Sequence, residues 1–470
     1  MITVSNVITI DHPSAELRSW CTKNLRLRNP DYDKKQRMHF WVGNTPEWLW
    51  LYEVHGDQLV LPYGTLRHIV DMFPEEEVFF NFDRHNLIEY GCKIPLYDYQ
   101  QKAVEEVYWK RCGILQSAAG SGKTQMGLAL IAKLGKRALW LCHTRDLLLQ
   151  SKDRAKQYMG EALLGTITEG KVNIGAGITF ATVQTMCNLD LAQYKNMWDV
   201  IIVDECHRVA GTPTAVSQFS KVLNSLAARH KYGLSATVHR SDGLIKATFA
   251  LIGDVVYTVP TEAVADKIMK VGIFAVPTGI RIARSCLNPD GTLNYAKLIG
   301  YLAESEERNQ LIVKSITVNR DKPALILSDR LAHLETLMSM LPADIREDAV
   351  MVSGKMTTKK GKAEREQAIA DMRTGEKRYL FATYSLAKEG LDVPRLERLY
   401  MATPQKDYAV ITQAIGRIAR THKGKEDPVV YDYVDDIQYL IKAYKKRCTT
   451  YRKNGAYFVD GVMTNEISDL

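Results

Sequence analysis

A short glycine-containing loop is the first part of this sequence that could do chemistry. Residues 117–124 read Ser-Ala-Ala-Gly-Ser-Gly-Lys-Thr and lie between an apolar run at 113–116 and a helical pattern at 124–134. Backbone N–H groups and a helix N-terminus in such a loop attract anions, and glycines allow close approach. The pattern predicts a nucleotide site in which Lys123 reaches the phosphates and Thr124 ligates Mg²⁺. The other predicted nucleotide contacts in the loop are Ala119, Gly120, Ser121 and Gly122.

Two details keep this assignment open. The simple pattern has glycine where Ser117 stands, and a Gly/Ser-rich turn with an incidental lysine is the alternative.

A pair of acids follows a second apolar run. Residues 200–203 are Val-Ile-Ile-Val and lead directly into Asp204, Glu205, Cys206 and His207. Acids at the carboxyl edge of a parallel sheet can divide the work of hydrolysis. We expect Asp204 to hold Mg²⁺ and Glu205 to orient and deprotonate water. An isolated Asp-Glu is more often a solvated turn, but its place about 80 residues after Lys123 favours a site.

The sequence Ser-Ala-Thr at 235–237 ends another apolar stretch. The hydroxyls of Ser235 and Thr237 could bond to the acids and, with His207, couple the nucleotide to the position of the domains. A Ser-Ala-Thr sequence is uninformative by itself. The prediction depends on its place after the glycine-containing loop and the acid pair.

A pair of arginines near the C-terminus completes the candidate chemistry. On a helix, Gln413, Gly416, Arg417 and Arg420 would share one face. Guanidinium groups suit bidentate contact with phosphate oxygens, so Arg417 and Arg420 could act as arginine fingers, with Gln413 beside them. The alternative is a basic, solvated helix face.

Composition narrows the class of protein. The chain has 470 residues, a formal net charge of +8 and an apolar content of 46%, which fits a globular protein of two to four domains. Its eight cysteines form no CxxC pair, so we expect no structural zinc. We also expect no signal peptide and no membrane span, because neither pattern occurs.

Predicted strands and helices alternate along the parts of the chain that carry these residues. This alternation predicts an α/β fold with parallel sheets. The expected divisions are an accessory α+β domain at 1–92, an ATP-binding domain at 93–262, a linker region at 263–304, a second domain at 305–434, and a basic helix and tail at 435–470. Residues 23–37 are locally basic, and the tryptophans beyond them (Trp41, Trp48 and Trp50) are expected in the core. The Lys/Arg helix at 442–447 could face DNA or solvent.

The order of these motifs resembles superfamily 2 helicases of the DExH type over residues 95–425. The resemblance implies two tandem RecA-like domains, with ATP and Mg²⁺ between them and nucleic acid across both. It implies that Gln100 reads adenine, although Tyr97 and Asp98 depart from the related pattern. It implies nucleotide contacts at Gly390 and Asp392. The implied nucleic-acid contacts are Thr144, Arg145, Thr182, Gln184 and Thr383.

A narrower resemblance concerns the branch of the superfamily. Residues 237–243 and 451–455 resemble the XPB-like branch, while 29–32 and 61–64 are similar to phage branch-migration helicases of the UvsW type. This implies a 3′→5′ DNA helicase that remodels forks and Holliday junctions in the cytoplasm of a phage-infected bacterium, with roles in replication, recombination and repair. The alternatives are a DExH RNA helicase and a DNA translocase that does not unwind.

Overall fold

The computed structural model describes residues 1–91, 94–238, 243–264, 268–354, 356, 358–388 and 391–459. It divides into two compact units, residues 1–264 and residues 265–470. Within the described residues, no helix combines the length and the apolar character that crossing a membrane requires.

The first unit begins with a small α+β module. Its elements are β1 (Ile2–Val4), β2 (Val7–Asp11), α1 (Ala15–Asn24), β3 (Arg26–Arg28), α2 (Pro30–Arg37), β4 (Trp48–Trp50), β5 (Glu53–His55), β6 (Gln58–Pro62), α3 (Leu66–Met72) and β7 (Val78–Phe80). The main sheet has the order β5-β6-β2-β1-β7, and β3 pairs with β4 separately. A hairpin turns around Gly56, because β5 and β6 are antiparallel and His55 pairs with Gln58. Gly56 has a φ of 61°, which glycine adopts readily.

The rest of this unit is a parallel sheet with helices. Its elements are α4 (Asp98–Tyr108), β8 (Cys112–Gln116), α5 (Lys123–Leu134), β9 (Ala138–Cys142), α6 (Arg145–Met159), β10 (Leu164–Thr168), β11 (Lys171–Asn173), β12 (Ile178–Thr182), α7 (Val183–Cys187), β13 (Val200–Asp204), α8 (Pro213–Ser225), β14 (His230–Ser235), α9 (Ile245–Ile252), β15 (Val255–Thr258) and α10 (Thr261–Val264). The strand order is β11-β10-β12-β9-β13-β14-β8-β15, and every pairing is parallel except that of β10 with β11. The central strands β9, β12 and β13 are buried along their whole length, as expected where helices cover both faces.

The module and the parallel sheet share one hydrophobic core. Ile8, Leu61 and Tyr63 of the module belong to the same buried cluster as Val216 of α8 and Ala247 of α9. The module is therefore a built-in part of the first unit.

Polar contacts also hold the N-terminal module against the parallel sheet. Lys231 on β14 is fully buried, and its Nζ donates to the carbonyls of Asn6 (3.0 Å) and Leu223 (2.7 Å). The hydroxyl of Tyr63 donates to the carbonyl of Arg229 at 2.6 Å. Burial lowers the pKa of Lys231 to about 7.

The second unit is another parallel sheet with helices. Its elements are β16 (Gly272–Pro277), α11 (Tyr295–Glu304), α12 (Glu306–Val318), β17 (Ala324–Ser328), α13 (Leu331–Ser339), α14 (Ala343–Glu347), β18 (Ala349–Val352), α15 (Lys359–Thr374), β19 (Tyr379–Thr383), α16 (Tyr384–Lys388), β20 (Arg398–Met401), α17 (Tyr408–Ile418), β21 (Val429–Val434), α18 (Gln438–Lys453) and β22 (Tyr457–Phe458). The order is β18-β19-β17-β20-β21-β16-β22, and the strands pair in parallel. With the first sheet and the N-terminal module, this is the tandem parallel-sheet fold that the sequence predicts.

Two expectations about the second unit need correction. Residues 263–304 are more than a connection, because β16 pairs along its whole length with β21 inside the second sheet. The prolines and the turn at 288–291 obscured this short apolar strand. Arg447 is not part of a basic surface either. It is buried on α18 and binds both carboxylate oxygens of Asp432, at 2.7 and 2.8 Å.

Candidate active site

The phosphate loop has the backbone that an anion site requires. It joins β8 to α5, and Gly120 and Gly122 have φ values of 83° and 82°, which suit glycine. The hydroxyl of Ser117 donates to that of Ser121 at 2.6 Å, so serine at the first position closes the loop with a hydrogen bond. Lys123 is buried, and its Nζ lies 3.4 Å from the carbonyls of Ser117 and Ala118.

Gln100 connects α4 to this loop. Its Oε1 accepts from the N–H of Tyr97 at 3.0 Å, and its Nε2 donates to the carbonyl of Ser121 at 2.9 Å. Tyr99 donates to the same carbonyl at 2.9 Å. A Cβ at Gly122 would lie 2.3 Å from Gln100 Nε2, so glycine is needed there for packing as well as for its φ. Gln100 thus braces the phosphate loop, and its contact with adenine stays a prediction.

The acid pair stands at the carboxyl end of β13, beside the loop. Asp204 is buried, and its carboxylate accepts from Ser151 Oγ at 3.1 Å and from the N–H of Glu205 at 3.0 Å. Burial, with the nearby charge of Glu205, raises the pKa of Asp204 to about 6. Glu205 Oε1 is 3.9 Å from Lys123 Nζ. The fold therefore brings together Lys123, Asp204 and Glu205, which the sequence singled out separately.

The residues predicted to couple the site are linked through the Ser235 hydroxyl, which contacts His207 and the backbone of Thr237 where the sequence predicted bonds to the acids. Ser235 Oγ donates to the carbonyl of Thr237 at 2.7 Å and accepts from its N–H at 3.2 Å. Because the hydroxyl has a single hydrogen, the 3.0 Å contact with His207 Nδ1 requires that nitrogen to donate. His207 Nδ1 is also 3.3 Å from Glu205 Oε2. Ser235 is thus two contacts away from the predicted base.

Ser151 is the residue of this site that sequence reasoning missed. It lies on α6 in a buried stripe with Leu148, Ala155 and Met159. A serine within such a stripe was the available signal, because a buried hydroxyl needs a partner.

The predicted nucleic-acid residues of the first unit follow two paired strands, β9 and β12. Thr144 caps α6 by accepting from the N–H of Leu147 at 3.4 Å. Arg145 lies 3.5 Å from the carboxylate of Glu169, and Gln184 Nε2 lies 3.4 Å from His143 Nδ1. Thr182 is largely buried and shares a 2.9 Å hydrogen bond with Thr185. The sheet brings the four together, and their contacts with nucleic acid stay predictions.

Within the second unit, the arginine motif differs from the expected helix face. Gln413, Gly416 and Arg417 lie on α17, but that helix ends at Ile418 and Arg420 follows it in a β-bridge with Ile268. The prediction that all four share one helix face was wrong, because the chain turns to make this long-range pairing.

The two arginines also have different partners. Arg417 donates to the carbonyls of Ala387 and Leu391, each at 3.0 Å, whereas Arg420 pairs with Asp392. Thr383 ends β19 and its hydroxyl is 3.0 Å from that of Ser385. Gly390 lies outside the described residues.

Two of the three tryptophans expected in the core of the N-terminal module are another correction, whereas Trp48 is partly buried. Trp41 is 86% exposed and Trp50 is 55% exposed, and Phe40 beside Trp41 is 60% exposed. Phe40 and Trp41 lie in the loop after α2, and Trp50 is the last residue of β4. We call Phe40 and Trp41 the aromatic tip.

Comparison with known proteins agrees with this architecture. Residues 93–240 match the family described as "Type III restriction enzyme, res subunit", and residues 307–422 match the helicase conserved C-terminal domain. Yeast Dbp5 bound to RNA and ADP BeF3 covers 85% of this chain and 94% of its own, with 18% identity and a TM-score of 0.55. That likeness concerns the fold alone.

Three relatives extend the comparison. A mimivirus protein named as an ATP-dependent RNA helicase is 26% identical over 75% of this chain and 66% of its own length. A helicase of Escherichia phage T5 is 26% identical over 73% of this chain and 72% of its own. The DNA 3′-5′ translocase XPB2 of Sulfurisphaera tokodaii is 25% identical over 71% of this chain and 80% of its own.

The fold, the phosphate loop, the acid pair and these matches together define a helicase of superfamily 2. Within that superfamily, the chain lies with the XPB-like and phage helicases.

Proposed function

We propose that this protein hydrolyses ATP to move along DNA and remodel branched substrates, including forks and Holliday junctions. The observation that supports it most directly is the meeting of Lys123, Asp204 and Glu205 at one edge of the first parallel sheet. A lysine, a buried carboxylate and a second acid are the groups that phosphoryl transfer needs.

The donors available for Mg²⁺ fit that ion. It keeps most of its waters and takes few protein oxygens, completing its shell with phosphate oxygens. Thr124 and Asp204 would hold it, and it would neutralise charge that develops on the phosphates. In the described part of the chain, no cluster of three His, Cys, Asp or Glu side chains is arranged to hold a metal.

Glu205 has the role of general base in this proposal. Its carboxylate would accept a proton from the attacking water, and His207 Nδ1 lies 3.3 Å from its Oε2. Lys123 would stabilise the phosphate charge. Arg420, with Gln413 and Arg417 near it in the second unit, would complete the site when ATP draws the two units together. Loss of the γ-phosphate would release them.

The nucleic-acid contacts and the direction of movement belong to the same proposal. Thr144, Arg145, Thr182, Gln184 and Thr383 would bind mainly the backbone, so binding would tolerate many sequences and weaken with salt. The name of the archaeal relative supports DNA and 3′→5′ movement. The name of the mimivirus relative favours RNA as the second candidate.

The N-terminal module would engage the branch point. The aromatic tip directly follows α2, which carries Lys34, Lys35 and Arg37. Gly43 lies against the Trp41 ring, where a Cβ would come within 2.8 Å of it. Basic groups beside exposed rings suit phosphate binding together with stacking at an opened base pair.

The test is a synthetic mobile Holliday junction incubated with the protein and ATP. We expect ATP-dependent conversion to forked duplexes, and none with Lys123→Ala. DNA-stimulated hydrolysis without any processing would point to a translocase that does not unwind. Stimulation of hydrolysis by RNA but not by DNA of matched length would establish the second candidate.

A further inference from the structure

The helix α18 in the second unit has two different faces. Its buried face includes Ile441, Tyr444 and Cys448, which pack in one cluster with Ala275 of β16 and Val434 of β21. The opposite face is exposed and carries five cations: Lys442, Lys445, Lys446, Arg452 and Lys453. Because the buried face holds the helix against the sheet, the fold does not require the five exposed cations.

All the charges on α18 have the same sign. Its sixteen residues include six Lys or Arg and no Asp or Glu, and none of the five exposed cations forms an ion pair with a described residue. Helices α6 and α15 have a similar length but mix acids with bases. Like charges four residues apart, such as Lys442 and Lys446, repel each other and destabilise a helix. A face of one sign therefore indicates a polyanionic partner.

The exposed cations form a row along the helix. Lys442, Lys446 and Lys453 are four and seven residues apart, which places them in one line, with Lys445 and Arg452 beside it. At 1.5 Å per residue, the row from Lys442 to Lys453 is about 16 Å long. Duplex DNA has about ten phosphate charges over that length of its axis. The row can therefore contact several phosphates of one duplex at once.

The aromatic rings beside α18 already have cations over them. Lys406 Nζ donates to the Tyr439 hydroxyl at 2.8 Å and lies 5.5 Å from the centroid of that ring and 5.7 Å from that of Tyr295. Lys453 Nζ lies 5.9 Å from the centroid of the Tyr408 ring. Surfaces that bind single strands offer open ring faces on which bases stack. Here the ammonium groups lie over the rings and add positive charge, which favours phosphates over unpaired bases.

Two acids in the neighbouring segments are engaged elsewhere. The carboxylate of Asp407 caps α17 by accepting from the N–H of Val410 at 3.0 Å. Asp436, just before α18, pairs with Arg281 at 3.1 Å. Neither acid pairs with the cations of the row.

We propose that the exposed face of α18 binds the phosphate backbone of a duplex arm of the branched DNA. The inference rests on the proposed function, because a protein that remodels forks and junctions must hold duplex arms as well as a single strand. Contacts with phosphates carry no sequence information, so this binding is independent of sequence and weakens steeply with salt.

The experiment measures binding to a blunt DNA duplex and to a single strand of the same length over a range of salt concentrations. The variant is Lys442→Gln/Lys445→Gln/Lys446→Gln. We expect its affinity for the duplex to fall at least about tenfold at low salt, and the slope of log affinity against log salt to become shallower by about two to three, as for three lost phosphate contacts. Its affinity for the single strand should stay near that of the wild type.

Two further variants serve as controls. Lys442→Arg/Lys445→Arg/Lys446→Arg keeps the charges and should bind the duplex as the wild type does. Lys133→Gln/Lys156→Gln/Lys360→Gln removes the same net charge from other helices, where each lysine pairs with an acid, and should keep the wild-type affinity and salt slope. Urea unfolding of each variant checks that it is folded.

Three results would overturn the inference: an unchanged affinity for the duplex in the α18 glutamine variant, an equal loss of affinity for the single strand, or an equal loss in the charge-matched control. If neither form of DNA stimulates hydrolysis by the wild-type protein, the proposed function itself fails, so the two failures are distinguishable.

Discussion

Glu205 holds its position through an unusual backbone conformation. Its φ of 47° is left-handed, which is uncommon for a residue with a side chain. Strain of this kind persists where the surrounding structure fixes it, and here the N–H of Glu205 bonds to Asp204. The conformation turns the chain directly after β13, beside Lys123 of the phosphate loop.

Replacement of Glu205 by glutamine tests its role as the base. Glu205→Gln keeps the size of the side chain but cannot accept the proton from water. We expect turnover of ATP to fall by roughly 10²–10⁴-fold while affinity for ATP stays near that of the wild type. Steady-state hydrolysis and nucleotide-binding titrations measure the two effects. Glu161→Gln is a suitable exposed control, and turnover near the wild-type rate in Glu205→Gln would refute the assignment.

The acid pair also predicts that ATP hydrolysis depends on pH. Burial raises the pKa of Asp204 to about 6, and the hydrogen bond from Ser151 opposes that rise. Because protonated Asp204 cannot ligate Mg²⁺, kcat/KM for ATP should fall as the pH drops through this range. Ser151→Ala should raise the pKa further and move this acid limb to higher pH, by up to about one unit.

The comparison for Ser151→Ala is Ser315→Ala, since Ser315 is a helix serine whose hydroxyl donates to the carbonyl of Leu311 at 2.8 Å. Its profile should match that of the wild type. An unchanged acid limb in Ser151→Ala would mean that a different group controls it.

At the scale of elements, β14 joins the N-terminal module to the sheet through Lys231. This lysine has a pKa of about 7 when folded and an ordinary value of 10.5. Between these values the unfolded chain binds more protons, so stability rises with pH. From pH 7 to pH 9 the gain should be about 2 kcal/mol at most.

Lys231→Met removes the titrating group and should abolish this rise. Urea unfolding followed by tryptophan fluorescence at the two pH values measures the difference in the free energy of the first transition. The same rise in wild type and variant would show that Lys231 does not cause it.

The element that the sequence pattern predicted best is a central strand. The β13 strand is a continuous apolar run, and its predicted bounds of 200–203 agree with the structure to within one residue. The β16 strand was missed because it lies among prolines and turns, where local pattern favours a connection. Exposure of Trp41 was also mispredicted, since the residue type alone does not reveal what covers it.

The candidate site shows the same limit. Local order and spacing identified Lys123, Asp204 and Glu205, because each stands where a helix begins or a strand ends. Two other contacts join distant parts of the chain: the hydrogen bond from Ser151 to Asp204, and the β-bridge between Arg420 and Ile268. A local sequence pattern could not predict either of them.

At the scale of the whole molecule, the proposal requires the second unit to contribute to hydrolysis. Arg417 already binds two backbone carbonyls of its own unit, whereas Arg420 binds a side chain, Asp392. Arg420 is therefore the better candidate for the phosphate contact.

Arg420→Ala should lower kcat by the order of 10³ or more while ATP affinity changes little. Hydrolysis and nucleotide titration separate the two quantities. Arg373→Ala is the control, because Arg373 Nη2 also lies 3.7 Å from the Asp392 carboxylate. If the two variants lose equal activity, the effect comes from the Asp392 pairing, and a large loss of affinity with little loss of kcat would make Arg420 a ground-state ligand.

One strand, β14, contacts both the N-terminal module and the phosphate loop. Lys231 binds the N-terminal module near the start of β14, and Ser235, whose carbonyl accepts from the N–H of Ser117 at 3.0 Å, ends it. Four residues of strand span about 13 Å and resist stretching. A force on the module would therefore be transmitted through β14 to the phosphate loop. Under the proposed function, load that DNA places on the module would reach the ATP site in this way and slow turnover.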